Sequence, residues 1–405
     1  MSLDLILSNN PLILKLFHQL HLNFYFTRPA IKHVAEFLIA SSQTSFSGKV
    51  SNITSLSCSN KHRTSFGYFL SHGAWQASML WKSLQKFVSQ AICSLSENND
   101  APWFAIYDDT IVVKSKPSSR ATQPTAAASF HFSHLEHKTV FGHQILTCML
   151  SCAKLTLPFS LRLYQKTAEH ISLSKIDMVC QIAEQLPFGV HHKAYALCDS
   201  WFTCKKVIDA HARRNYELIG ALKSNRVIYP TQCALGISVG QFAKSITKSK
   251  ANLVTVGKRS YWTYRYQGKL NDIKEAVVVV SWPEEAFGNE AAMRCFLCTD
   301  ITLSAQTILS YYSGRWPIEV YFQQSKSKLA FGKYQVRSLE SIEKYFVLNA
   351  LAYIFFMMDD NGCVKFCDGH KSVQNQFEKQ IYFWIYEQAQ HNIPFSDILA
   401  SLHVA

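Results

Sequence analysis

The apolar and polar positions along the chain fall into four regimes. Up to about residue 95 the period is helical. Leu12, Leu14, Leu16, Phe17 and Leu20 form one apolar run, and Ile31 to Ala40 form another. Between 41 and 60, Ser, Asn, Thr and Gly dominate, which predicts a loop. The next stretch, NKHRTSFGYFLSHGAWQASMLWKSLQKFV, predicts two short helices broken at His72-Gly73, with Lys61, His62 and Arg63 at the start. That pattern suits a small DNA-reading unit, and it also suits a plain helical cap.

From about 101 the period shortens. WFAIY is a short apolar run followed by Asp108-Asp109-Thr110, which predicts a buried strand whose carboxyl end carries polar groups. Residues 114–129 are a loop by composition. FHFSHLEHKTVFGHQILTCMLSC and SLRLYQK predict further strands, and 170–186 suits a helix. AYALC predicts a second buried strand, again ending in an acid, Asp199. Phe202 to Arg214 suits a helix and YELIGALK a third strand. This is an α/β alternation with carboxylates at two strand ends. Residues 227–303 break it: SYWTYRYQG, EAVVVVSW and MRCFLCTD are strand-like, so the segment reads as a β-rich insertion. Helical pattern returns at 305–329 and 340–358 and continues into the C-terminal tail. No internal repeat is visible.

Composition narrows the function. The 405 residues imply two or three structural units, and an apolar content of 48% with 17% charged residues supports a large core and excludes a disordered chain. Lys and Arg outnumber Asp and Glu by 41 to 28, a net charge of +13, which points to a polyanionic partner: nucleic acid or an anionic membrane surface. No stretch reaches the roughly 18 uninterrupted apolar residues of a membrane span. The MSLDLILSNN start has no basic residue and no cleavage pattern, so no secretory signal is expected.

The twelve cysteines are scattered among apolar neighbours, as reduced thiols packed like small hydrophobes would be. Cys295-x2-Cys298 and Cys363-x3-Cys367-x2-His370 have metal-like spacing, but zinc would need the two clusters to meet in space. His131, His134, His137 and His143 lie in strand-like sequence, where 131 and 137 would share a face and 134 would point away. Lys205, Lys206, Arg213, Arg214, Lys223 and Arg226 make 205–226 basic, which suits either a phosphate track or a solvated helix face.

The richest segment is YYSGRWPIEVYFQQSKSKLAFGKYQ, residues 311–335. At roughly 100° per residue, Tyr312, Arg315, Glu319 and Lys326 fall near 0°, 300°, 340° and 320°, a face about 60° wide. Pro317 is tolerated in a first helical turn, so the helix can begin near Trp316 and leave Tyr312 and Arg315 on the preceding turn. A carboxylate set between a guanidinium and an ammonium suits a metal-ligating Glu flanked by phosphate-binding groups; it also suits an amphipathic helix with weak i,i+4 pairs. Asp108 and Asp199 each follow a buried strand, where an acid is costly unless it is paired or holds a cation. Three such carboxylates make a hard-oxygen site for Mg²⁺ or Mn²⁺, and two ions about 3.5–4 Å apart can serve both oxygens at a phosphodiester.

Tyr312-x2-Arg315-x3-Glu319-x6-Lys326 resembles the YREK motif of bacterial insertion-sequence DDE transposases, with no residue substituted. YDDT (107–110) is similar to that family's first-aspartate motif and LCDSWF (197–202) to its second. The order Asp, Asp, β-rich insertion, Glu also agrees. The resemblance covers about 100–355. It implies an α/β fold with an RNase H-like catalytic core, its first part over 96–226 and its C-terminal helices over 304–360. The β-rich insertion spans 227–303, a helical, DNA-binding region 1–95 precedes the core, and a helical tail 361–405 follows it. It implies Asp108, Asp199 and Glu319 as catalytic metal ligands for two Mg²⁺ (or Mn²⁺) ions, with Asp109 as the alternative first acid. Tyr312, Arg315 and Lys326 would hold DNA phosphates, and Lys223, Arg226, Lys61 and Arg63 would add to the DNA-binding surface. Trp262 and Trp282 are the insertion's candidates for stacking on a flipped base, with a core role as the alternative. The implied partners are the element's double-stranded terminal repeats and target DNA, bound by a dimer in the bacterial cytoplasm at the nucleoid. A nuclease without joining activity, and a DNA-binding protein that has lost catalysis, are the rival readings.

Overall fold

The computed structural model describes residues 3–118, 120, 124–133, 136–166, 173–189, 194–231, 235–359 and 362–402. Its N-terminal part is built from α1 (Leu3–Ser8), α2 (Pro11–Gln19), α3 (Arg28–Ser42), α4 (Val50–Leu56), α5 (Thr64–Ser71) and α6 (Ala77–Asn99). Helix α4 lies inside the stretch whose composition predicts a loop. It forms because Ile53 and Thr54 bury one face against the core, and tertiary packing outweighs weak local propensity. The break after α5 falls at Gly73, where a Cβ would collide with the Phe69 carbonyl. Beyond the break, α6 is one long helix of 23 residues, not a short one; Leu80, Leu84, Val88 and Ile92 recur every fourth residue on its buried face.

Among the described residues twelve strands form one mixed sheet, and Met358–Asp359 pairs with Gly362–Cys363 in a separate two-stranded sheet. The strands of the first part are β1 (Trp103–Val113), β2 (Ser129–Ser133), β3 (Lys138–Cys152), β4 (Leu155–Tyr164), β5 (Ala194–Cys198) and β6 (Tyr216–Leu222). Helices α7 (Lys175–Ala183) and α8 (Lys205–Ala212) connect the later ones. Strand β3 pairs antiparallel with both β4 and β1, whereas β5 runs parallel to β1 and β6 parallel to β5. The segment after 226 adds β7 (Val227–Ile228), β8 (Ile237–Ser238), α9 (Val239–Lys244), β9 (Asn252–Val256), β10 (Arg259–Leu270), β11 (Ile273–Pro283) and β12 (Arg294–Cys298). It continues the same sheet, because β12 pairs with β6 from Cys295↔Leu222 to Cys298↔Ile219. The whole order is β2-β3-β1-β5-β6-β12-β11-β10-β7-β8, with β4 on β3 and β9 on β10.

Helices α10 (Ala305–Ser313), α11 (Pro317–Lys328), α12 (Leu339–Phe356), α13 (Phe366–Gln390) and α14 (Phe395–Ser401) complete the chain. From Ser341 to Phe356 nearly every residue of α12 is buried. A helix apolar on all sides must lie inside the protein, and α12 does so, touching α3, α5, α6, α13 and β4. It joins the N-terminal helices to the sheet. Among the described residues, no helix is long and apolar enough to cross a membrane.

Candidate active site

Strand β1 sorts its side chains by alternation. On one face, Phe104 packs on Tyr311 of α10, Asp108 meets Arg315, and Thr110 meets Lys326 of α11. On the other, Tyr107 meets His211 of α8 and Asp109 meets Lys175 of α7. The two neighbouring acids therefore point apart. Asp108 is on the face that carries Arg315 and Glu319, while Asp109 accepts hydrogen bonds from Lys175 Nζ at 3.2 Å and from Gln144 Nε2.

Asp108 is not at the strand's end, as the apolar pattern suggested. β1 stays paired with β3 as far as Val113↔Gly142, but its pairing with β5 stops at Ile106↔Leu197. Asp108 stands two residues past that point on β1, and Asp199 two residues past it on the parallel neighbour. Matched offsets on parallel strands bring the two acids to the same level of the sheet. Asp199 Oδ1 accepts the backbone N–H groups of Trp201 at 2.9 Å and Phe202 at 3.3 Å, which fixes the turn after β5.

The YREK-like residues lie across a helix break, as Pro317 allows. Tyr312 closes α10, Arg315 sits in the turn Gly314–Trp316, and Glu319 and Lys326 belong to α11. Arg315 Nη1 lies 2.7 Å from Asp108 Oδ2, and its Nη2 pairs with Glu319 Oε1. One guanidinium thus ties together the first and last acids. Tyr312 packs on Phe296 of β12, with ring centroids 4.7 Å apart.

The electrostatics agree with this grouping. Burial pushes the Asp108 carboxyl up to about 6; Arg315 opposes the shift, and the nearby charge of Asp199 adds to it. Burial also raises the Tyr312 phenol to about 12, with Arg315 opposing and the charges of Cys198 and Asp199 adding. Burial works against the charge of Arg315, but Asp108, Tyr312 and Glu319 more than offset it, so its pKa rises.

The three acids have the chemistry of a metal site but, as they stand, not its geometry. Chemically they fit: Asp108, Asp199 and Glu319 offer only hard oxygen donors, and burial holds the Asp108 carboxyl above the usual carboxylate range even with Arg315 beside it. In position, Arg315 now supplies the counter-charge between Asp108 and Glu319. Among the described residues, no group of three His, Cys, Asp or Glu side chains is arranged to hold a metal ion.

The remaining candidates scatter. Lys326 turns inward, its Nζ donating to Thr110 Oγ1 at 2.6 Å and to the Ile111 carbonyl at 3.3 Å, and burial lowers its pKa. Arg226 donates to the Thr203 carbonyl at 2.8 Å. Lys61 pairs with Glu36 at 3.2 Å, while Arg63 is exposed at the start of α5. Trp282 is a core side chain, 2% exposed and packed on Phe287, so it presents no face to a base. Trp262 is half-buried, with Lys248 Nζ 4.7 Å from its ring centroid. In the basic stretch, Lys205 pairs with Asp209 and Lys206 with Asp177.

The cysteine and histidine clusters make no metal site among the described residues. Cys295 and Cys298 are buried in β12 and held to about 12 by burial; the side chain of Cys363 lies outside the described residues. The histidine stretch is a hairpin of β2 and β3, not one strand. His137 sits in the turn at φ 49°, so it shares no strand face with His131, and His134 lies outside the described residues.

Two exposed tryptophans escaped the sequence reading, Trp201 and Trp316. Both stand inside the motifs already singled out, one two residues after Asp199 and the other between Arg315 and Pro317. Exposure, the property that separates them from the other tryptophans, is not written in residue type.

Comparison with known proteins gives a match for part of the chain. No curated protein matches it. Residues 171–355 match the family model described as Transposase DDE domain, which implies an RNase H-like core; the span takes in Asp199, Arg315, Glu319 and Lys326 and begins after Asp108.

Proposed function

We propose that this chain is a DDE transposase of the insertion-sequence type. It cuts DNA at the ends of a mobile element and joins the freed 3′-hydroxyl ends to target DNA, with no covalent protein–DNA intermediate. The observation that carries this reading is the Arg315 guanidinium joining Asp108 to Glu319 within a chain whose 171–355 span matches a transposase DDE domain. The net charge of +13 supports a polyanionic substrate.

Asp108, Asp199 and Glu319 would hold one or two Mg²⁺ or Mn²⁺ ions. When bound, such ions activate a water or 3′-hydroxyl and stabilise the leaving oxygen of a phosphodiester. The chain's own groups do the rest. Arg315 offers a planar fork that matches phosphate oxygens as well as carboxylates, and a DNA phosphate can draw it off the acids. Tyr312 adds a hydroxyl donor beside it. Lys326 braces α11 against Thr110 and keeps Glu319 facing β1. Two element ends brought together call for two copies of the chain on DNA.

The test is a reaction of the purified chain with Mg²⁺ and a plasmid that carries its gene with several hundred flanking base pairs. Excised element and joined products are expected. Cutting without joining would favour a plain RNase H-like nuclease, and DNA binding without cutting would favour a protein that has lost catalysis.

A further inference from the structure

Successive residues on one face of β1 meet successive parts of the chain, from the turn after α10 to the loop after α11. Asp108 meets Arg315, and Thr110 receives Lys326. Val112 lies against Gly332, where an added Cβ would stand 3.3 Å from Val112 Cγ1. Lys114, one residue past the end of β1, prolongs the ladder by donating its N–H to the Phe141 carbonyl. Its Nζ donates to the carbonyls of Gly332 at 3.0 Å and Tyr334 at 2.7 Å, and lies 3.3 Å from the centre of the Tyr334 ring. Alternate residues of a strand share a face, so these contacts all act on the side of the sheet that carries α11.

Lys114 differs from the other two cations of the row. It is half-buried, and no carboxylate among the described residues pairs with it, nor does it lie beside the three acids. Carbonyl dipoles and an aromatic face answer its charge instead. His143 of β3 is the other titratable group turned toward Tyr334. Its Nδ1 accepts from the Tyr334 hydroxyl at 2.5 Å and its Nε2–H donates to the Ala126 carbonyl at 2.8 Å, an arrangement of the neutral ring that burial and the Lys114 charge both favour.

We propose that Lys114 is a positioning residue for Glu319: its ammonium fixes the loop leaving α11 onto β1, and so sets how close Glu319 stands to Asp108. The inference rests on the transposase reading and adds a residue to it. Misplacing a catalytic group by about 1 Å can cost on the order of 100-fold in rate, and a helix held at both ends cannot slide along the strand. Burial lowers the Lys114 pKa to about 8. Below that pH the clamp is charged; above it the charge is lost, so cleavage weakens on the alkaline side. An arginine at this position would stay charged throughout.

The experiment uses the full chain, Mg²⁺ and the element-bearing plasmid, with cleavage followed at saturating protein from about pH 6.5 to 9.5. DNA affinity is measured separately by anisotropy in Mg²⁺-free buffer. Lys114→Met, which keeps the stem without the charge, lowers the cleavage rate near pH 7 about tenfold or more and leaves DNA affinity within about twofold of wild type. Lys114→Arg restores most of that rate. The ratio of its rate to the wild-type rate then climbs as pH passes 8, by up to about tenfold per pH unit. Taking the ratio cancels the ionisation of the attacking water, which both proteins share. Should Lys114→Met fail to fold, as melting curves would show, the pH course of that ratio carries the test alone. The proposal is overturned if Lys114→Met cuts at the wild-type rate, if its loss appears in DNA affinity instead, or if the ratio stays flat across pH 8. A wild-type chain that binds the plasmid but cuts it at no pH would instead overturn the transposase reading on which the proposal stands.

Discussion

Arg315 reaches across 207 residues of sequence to place Nη1 2.7 Å from Asp108 Oδ2, and the same guanidinium holds Glu319 one helical turn further on. This contact sets the two adjacent acids apart. Asp108 faces the guanidinium, and Asp109 faces Lys175 on the far side of the strand. Asp108→Asn, Asp199→Asn and Glu319→Gln should each lower plasmid cleavage by about 10³-fold or more, roughly 4 kcal/mol of barrier, while leaving DNA binding largely intact. Asp109→Asn should stay within about tenfold of wild type. Cleavage rates for the four variants check this, and an Asp109→Asn enzyme as dead as Asp108→Asn would reverse the assignment.

Arg315 and Lys326 differ in what DNA can take from them. Arg315 sits among carboxylates that a phosphate resembles, so Arg315→Ala should reduce the slope of log affinity against log salt by about one. Lys326 is turned onto Thr110 and the Ile111 carbonyl, so Lys326→Ala should also loosen α11 from β1 and lower thermal stability. Anisotropy titrations over a salt series, with melting curves, separate the two effects. An unchanged salt slope for both variants would argue against phosphate contact.

Lys344 of α12 is 0% exposed, with Nζ 3.0 Å from the Gly73 carbonyl and 2.6 Å from Glu340 Oε1. It pins the α5–α6 break to the central helix. Lys344→Met should cost about 2 kcal/mol, because the Gly73 carbonyl loses its charged donor. Glu340→Gln should cost less than about 0.5 kcal/mol, since Glu340 is largely in water. Chemical denaturation of the two variants gives the comparison; equal losses would show that the ion pair, not the carbonyl contact, is what matters.

His211 sets a pH dependence beneath the candidate site. Its Nδ1–H donates to the Val207 carbonyl at 2.8 Å and its Nε2 accepts from the Tyr107 hydroxyl at 2.9 Å, an arrangement of the neutral ring. Burial lowers its pKa to about 4. Between that value and the unfolded histidine value of about 6.5, the unfolded chain binds the extra proton, so stability is complete above about pH 6.5 and falls as pH drops toward 4. The full loss is on the order of 3 kcal/mol. In His211→Gln, unfolding free energy measured from pH 7 to 4 should fall less steeply; a slope equal to wild type would remove His211 as the cause.

Much of this was legible in residue patterns, and the failures have physical reasons. The run 340–358 is apolar on every side and became the buried α12, and AYALC, YELIGALK and EAVVVVSW are strands because unbroken apolar runs bury both faces. Pro317 marked the start of α11. Only the Asp-x-Thr register of the resemblance favoured Asp108 over Asp109, because period-2 alternation says that neighbours diverge but not which side α10 and α11 occupy. Ile53 was hidden in a polar stretch whose single apolar face is too short to read. Trp282 is a core side chain and Trp201 an exposed one, a difference that residue type does not carry, since a tryptophan's exposure depends on which strands cover it. The β-rich segment looked separate by composition, yet the pairing of Cys295 with Leu222 merges it with the core sheet.

The central claim is that Asp108, Asp199 and Glu319 converge on one divalent-ion site. Electron paramagnetic resonance titration of Mn²⁺ into the protein bound to duplex DNA measures this directly. The account predicts saturable binding in the wild type and in Asp109→Asn, weakened about tenfold or more in Asp108→Asn, Asp199→Asn and Glu319→Gln, since each removes a ligand. Mn²⁺ held equally well by all five proteins, or by none, would contradict it.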